Sequence, residues 1–148
     1  MSKKSTKLLD VIVIGAGASG MMAAITAARR GKSVAILERM NKPGKKILAT
    51  GNGKCNFTNN NMDTSRFHGN IQLIQSVLDR FSKEDTLSFF HEIGIWPKEK
   101  NGYYYPNSGQ AVSVVEAFNH ELNRLHVPVY LEQEVLRSEE HTSELQSQ

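Results

Sequence analysis

Three glycines and one acid carry the first chemistry in this sequence. Gly15-x-Gly17-x-x-Gly20 follows the apolar run Val11-Ile12-Val13-Ile14, and Glu38 closes a second apolar run, Val34-Ala35-Ile36-Leu37. Gly15 permits a tight turn out of a strand. Gly17 lets the backbone approach a pyrophosphate where a Cβ would collide with it, and Gly20 lets a helix pack close to the sheet. With Ala16 inside the turn, the N–H groups of Gly17, Ala18 and Ser19 then sit at a helix N-terminus. Unpaired donors and the helix dipole favour an anion there. Glu38 falls 18 residues after Gly20, where an acid can accept hydrogen bonds from ribose hydroxyls. The combination predicts a dinucleotide-binding βαβ unit. The plainer alternative is a glycine turn in an ordinary α/β domain.

The elements that must position these residues are legible. The β-branched run predicts a buried parallel strand over 8–14. Residues 18–30 are rich in Ala and free of Pro, which predicts a helix closed by Gly31 as the residue past its C-cap. A second strand is expected over 33–38. Arg39 follows the acid, and then comes Gly44-Lys45-Lys46-Ile47-Leu48-Ala49-Thr50-Gly51-Asn52-Gly53-Lys54-Cys55-Asn56-Phe57-Thr58-Asn59. This stretch has no clean period and reads as a donor-rich loop. Lys45, Lys46 and Lys54 can offset phosphate charge, while Gly51 and Gly53 permit close backbone approach. Composition alone does not choose between a cofactor loop and a solvated basic loop.

The glycine fingerprint, Glu38 and the run from Gly44 through Thr50, Gly51, Gly53, Cys55 and Asn56 to Asn59 resemble the BaiN/YhiN-type bacterial flavoproteins. The similarity continues through Gly102-Tyr103-Tyr104-Tyr105-Pro106 and Ala111-Val112-Ser113-Val114-Val115, and covers residues 8–136. That family consists of NAD(P)/FAD-dependent oxidoreductases. It often has Arg where Tyr103 stands, so no role of that Arg is carried over. The resemblance implies a Rossmann-like α/β FAD-binding domain over 1–136, truncated relative to the family. FAD would lie on the first βαβ unit under the loop 44–59, with NAD(P)H as reductant and a small molecule as substrate. It also implies that 129–136 returns to the cofactor domain with Val135 near the adenine.

Downstream residues look structural. Helices are expected over 71–81, over 83–92 behind a Ser82–Asp85 capping box, and over 109–125 behind Ser108 as cap. The last of these should bury Val112, Val115, Phe118, Leu122 and Leu125. Asn101-Gly102 predicts a hairpin turn packed by Tyr103 to Tyr105, and Val129-Tyr130-Leu131 a short strand. The final stretch, 137–148, is polar and patternless. It resembles a translated sequencing adapter and is read as a non-native tail.

Composition narrows the function classes. Net charge is +3, and the chain holds one cysteine, so no internal disulfide is possible and a reducing, cytoplasmic setting is expected. Lys3, Lys4 and Lys7 before an uncharged run imitate a signal peptide, but Asp10 and the motif glycines argue against one and against a membrane span. Cys55 lacks a resolving partner for redox work, and the histidines have no metal-ligand spacing. Flavin would carry the chemistry itself, so no catalytic side chain is nominated. Two other readings stand beside an FAD oxidoreductase. One is a flavoprotein that modifies RNA, against which no basic stripe is interleaved with aromatics. The other is a nucleotide-binding module without turnover.

Overall fold

The structure is a computed structural model that describes residues 8–137. In chain order the elements are β1 (Val11–Ile14), α1 (Ala18–Arg29), β2 (Val34–Leu37), α2 (Lys45–Ala49), β3 (Thr58–Asn59), α3 (Ile71–Leu78), α4 (Lys83–Glu92), β4 (Pro97–Lys100), β5 (Tyr103–Pro106), α5 (Ala111–Arg124) and β6 (Val129–Tyr130). The polar tail lies, except for Arg137, outside the described residues.

The dinucleotide-type unit is present as β1-α1-β2. The two strands pair in parallel from Val11↔Val34 to Ile14↔Leu37, and β6 adds in parallel on the far side of β2, giving the order β1-β2-β6. The strand expected over 8–14 starts at Val11. Asp10 is held instead by a clasp in which Ser33 N–H and Oγ donate to its carboxylate at 2.7 and 2.8 Å, and that clasp also takes Ser33 out of β2. Leu8 is 88% exposed, so no burial draws the preceding residues into the sheet. α1 ends as expected: Gly31 N–H donates to the Ala28 carbonyl and Lys32 N–H to the Ala27 carbonyl, the paired bonds of a Schellman motif.

One face of this sheet carries the core. Met21, Ala24 and Ile25 of α1 meet Val34 and Ile36 of β2 and Val114, Phe118 and Leu122 of α5 in one buried cluster. Each fully buried large side chain there contributes about 1.5–3 kcal/mol. The opposite face is different from the expectation for β1. Ile12 and Ile14 are 57% and 63% exposed, because among the described residues no element covers them.

A second, antiparallel sheet has the order β3-β5-β4. Its β4–β5 hairpin turns at Asn101-Gly102 with φ of +55° and +85°, the left-handed pair that a type I′ turn requires. The helices bring three corrections. α3 ends at Leu78 rather than 81, and none of its residues is buried among the described residues, so nothing extends it. α5 begins at Ala111 with Gln110 as N-cap; Ser108 does not cap it, and its Oγ contacts Ser113 Oγ instead. Its buried stripe is Ala111, Val114, Val115, Phe118, Glu121 and Leu122, with Val112 44% exposed and Leu125 half-buried. Glu121 rotates the stripe because two arginines hold it: Arg29 Nη2 of α1 at 2.8 Å and Arg124 Nε at 2.7 Å. α4 matches its expected bounds, with the reciprocal Ser82–Asp85 capping box in place.

Candidate functional site

The glycine turn shows three separate uses of a missing side chain. Gly15 has φ +96°, a conformation that lets β1 turn sharply into α1. At Gly20 an added Cβ would lie 1.9 Å from the Gly15 carbonyl oxygen and 3.3 Å from Val13 Cγ1, so only glycine lets α1 approach the strand. At Gly17 an added Cβ would meet no protein atom within 4 Å. The space before Gly17 is a cradle that a Cβ would fill. Gly17 is also the N-cap of α1 and offers no side-chain cap, so the N–H groups of the first turn point outward without a protein acceptor from the cap. Donor set, dipole and open space fit a pyrophosphate.

Glu38 stands at the end of β2 beside this turn. Its carboxylate accepts from Ala16 N–H at 2.6 Å and from Met40 N–H at 2.8 Å. The Met40 N–H, with help from that of Ala16, holds the carboxyl below the usual carboxylate range against the opposing effect of partial burial. An ionised carboxylate has about four lone-pair sites, so two remain for ribose hydroxyls after these bonds. Ala16 ties the site together from its other end, its carbonyl accepting from Gly44 N–H at 2.8 Å.

Two cavities meet at this turn. The smaller, about 420 Å³, is lined by Ala16, Gly17, Glu38, Met40, Lys45 and Lys46. The larger, about 630 Å³, runs from Gly17, Ala18 and Ser19 past Lys46, Thr50, Cys55 and Asn56 into a wall of phenylalanines. Gly17 and Lys46 line both, so a cavity edged by Glu38 and two lysines adjoins an apolar chamber. The stretch 44–59 borders both cavities, but it is not the loop that was expected. Residues 45–49 are helical and 50–53 form a tight turn with Gly51 and Asn52 at φ of +55° and +53°. Ile47 of α2 is buried, which supplies the burial that a purely polar loop would lack.

The other sequence-nominated residues fall in varied places. Gly51 and Gly53 line neither cavity; a Cβ on Gly51 would lie 2.7 Å from Asn56 N, so the turn itself needs it. Arg39 is exposed and sits 3.8 Å from Glu134. Val135 is half-buried and lines neither cavity; two residues before it, Gln133 N–H donates to the Glu38 carbonyl at 2.9 Å. The Cys55 thiol is buried, and burial raises its pKa against a weaker opposing hydrogen bond from Thr50. It is therefore a neutral thiol lining the chamber.

Sequence reasoning missed the chamber wall. Phe57, Phe81, Phe89, Phe90 and Phe118 come from separate parts of the chain, and the ring centroids of Phe57 and Phe90 lie 4.3 Å apart. Only Phe89-Phe90 gives a local signal, and adjacency alone does not assign a cavity. Among the described residues, no cluster of His, Cys, Asp and Glu could hold a metal ion, and no helix is long and apolar enough to cross a membrane.

Comparison with known proteins gives this geometry a context. The chain is 49% identical over 121 residues to the 3-dehydro-bile acid delta(4,6)-reductase of Clostridium scindens, covering 80% of this chain and 30% of that protein. It is 33% identical to the ribosomal RNA dihydrouridine synthase of Escherichia coli, covering 86% of this chain and 32% of that protein. The chain thus spans about a third of the length of these relatives. Its fold is similar to that of a flavocytochrome c3 fumarate reductase, with TM-score 0.65, 15% identity, and 86% of this chain and 27% of that one covered. The HI0933-like protein Rossmann domain matches residues 9–148, a range that runs past Leu136 through the tail set aside above. With its β1-α1-β2 unit, glycine cradle and terminal acid in place, the chain belongs to the HI0933-like Rossmann-domain family.

Proposed function

We propose that this chain is the FAD-holding part of a larger FAD-dependent oxidoreductase. The observation that carries this reading is the adjacency of two cavities at the glycine turn: an acid-edged cavity and an apolar, phenylalanine-walled chamber share Gly17 and Lys46. Such an arrangement suits a ligand with a ribose at one end, a pyrophosphate in the middle and an apolar ring system at the other. Glu38 would hold the ribose hydroxyls, the first turn of α1 and Lys46 the pyrophosphate, and the chamber would exclude water from the ring system. FAD, when bound, would supply two-electron redox chemistry, with a reduced nicotinamide as the proposed reductant.

The substrate is a small molecule with an activated carbon–carbon double bond. The relative named as a 3-dehydro-bile acid delta(4,6)-reductase supports this. The relative named for ribosomal RNA also supports a second reading, in which the reduced base is carried by RNA. The reducing, cytoplasmic setting rests on the single neutral Cys55 thiol. The polar stretch 137–148 remains proposed as a non-native tail. The test uses the complete gene product under anaerobic conditions. NAD(P)H should bleach the flavin absorbance, and a conjugated enone should restore it. Flavin that NAD(P)H does not reduce sinks the reductant, and reduced flavin that no enone or uridine-containing RNA reoxidises sinks the substrate class.

A further inference from the structure

The β4–β5 hairpin presents chemistry that the groove does not use. Strand pairing sets Lys98 opposite Tyr105 and Lys100 opposite Tyr103. Side chains alternate along a strand, so these four share one face, and Glu99 points to the other, where its carboxylate accepts from Gly102 N–H. Lysines and tyrosines thus face one another across the two strands rather than along the chain. This face lines a cavity of about 530 Å³ together with Lys54, Asn101, Asn107 and Ser108, and no lining residue is acidic. Among the described residues, Lys54, Lys98 and Lys100 form no ion pair.

We infer that this cavity is a second nucleotide site, one that takes a phosphate-bearing nicotinamide dinucleotide of the NADP type. Its volume lies within the roughly 300–1,000 Å³ usual for small-ligand sites. Lys98 and Lys100 stand about 7 Å apart along the strand, so they can serve different phosphate groups of one ligand. Tyr103 is 44% exposed and offers a ring face on which a base can stack. The location suits a reductant: Lys54 belongs to the turn that borders the flavin groove, and a Cβ on Gly51 in that turn would lie 3.6 Å from Tyr105 Cε1. One side of the turn faces the chamber and the other side faces the lysines.

The inference rests on the flavoenzyme reading only for its purpose, and the test separates the two. NADP+ is titrated calorimetrically into the complete gene product, with FAD content measured on the same sample. The combined Lys98→Gln, Lys100→Gln variant should raise the NADP+ dissociation constant about tenfold or more with FAD content unchanged. Tyr103→Ala should weaken NADP+ while Tyr103→Phe retains it. An NADP+ affinity that neither the lysine variant nor Tyr103→Ala alters overturns the site, as does a wild-type protein that binds no NADP+. So does a lysine variant that loses only its affinity for single-stranded RNA of about 12 nucleotides. A colourless protein that still binds NADP+ through these residues would count against the flavin reading alone.

Discussion

Alanine at Gly17 and at Gly20 should produce opposite failures. At Gly20 the new methyl group would lie 1.9 Å from the Gly15 carbonyl oxygen, about 1.5 Å short of the 3.4 Å where ordinary contact begins. Alanine gains about 1 kcal/mol over glycine inside a helix. Overpacking costs about 1–3 kcal/mol, and the upper end applies because the obstructing atom is backbone and cannot rotate away. The net expectation for Gly20→Ala is a loss of about 2 kcal/mol in folding stability. Gly17 has φ −82° and ψ −178°, which alanine adopts without strain, and open space beyond. Gly17→Ala should therefore leave stability within about 0.5 kcal/mol of the parent. Its methyl group would occupy the pyrophosphate cradle instead, weakening FAD by about 1–3 kcal/mol. Urea denaturation of the apoprotein and FAD titration of the same samples read the two effects. A Gly20→Ala protein as stable as the parent would refute the packing argument. A Gly17→Ala protein that binds FAD normally would refute the cradle.

Further predictions concern the acids and the extent of the chain. Glu38→Ala should weaken FAD by about 1–3 kcal/mol, and should also destabilise the apoprotein because the Ala16 and Met40 N–H groups lose their acceptor; unchanged FAD affinity removes the ribose role. Glu121→Ala should cost about 1–3 kcal/mol by leaving Arg29 and Arg124 without their shared partner, a cost moderated because both arginines keep some contact with water. Both carboxyls have folded pKa values lowered, Glu121 chiefly by Arg124, so their stabilisation is present at neutral pH and is lost as pH falls through the folded values. The stability–pH curve of a Glu38→Gln, Glu121→Gln double variant should be flatter on its acid limb, and an unchanged limb would count against the assignment. Residues 1–148 alone should retain FAD weakly and show no substrate-dependent NAD(P)H oxidation, whereas turnover matching that of the complete gene product would place the catalytic apparatus within them.

The β1-α1-β2 unit was legible because its determinants are local. An apolar run, glycines at fixed offsets and an acid at the next strand end are all read within 28 residues of one another, from Val11 to Glu38. The same holds for the Ser82 capping box and the Asn101-Gly102 turn. Where partners are distant, the reading failed. Glu121 is polar, so an apolar pattern does not place it in the α5 stripe, yet Arg29, 92 residues away, helps bury it. The helix at 45–49 is too short to show a period, and it is held by burial of its own Ile47 rather than by propensity. The phenylalanine chamber and the lysine–tyrosine face both arise from pairing between separate elements, which no local spacing records. Ile12 and Ile14 were expected inside because an apolar run predicts burial on both faces, but it cannot say which chain segment provides the cover.

The central claim is that this Rossmann unit holds FAD, and the direct measurement is the flavin content of the complete gene product. Purified protein should be yellow, with FAD released on denaturation at about one per chain. Apoprotein prepared from it should take FAD back, and Gly17→Ala apoprotein should do so far less tightly. Protein that purifies colourless and cannot be reconstituted with FAD would contradict the account.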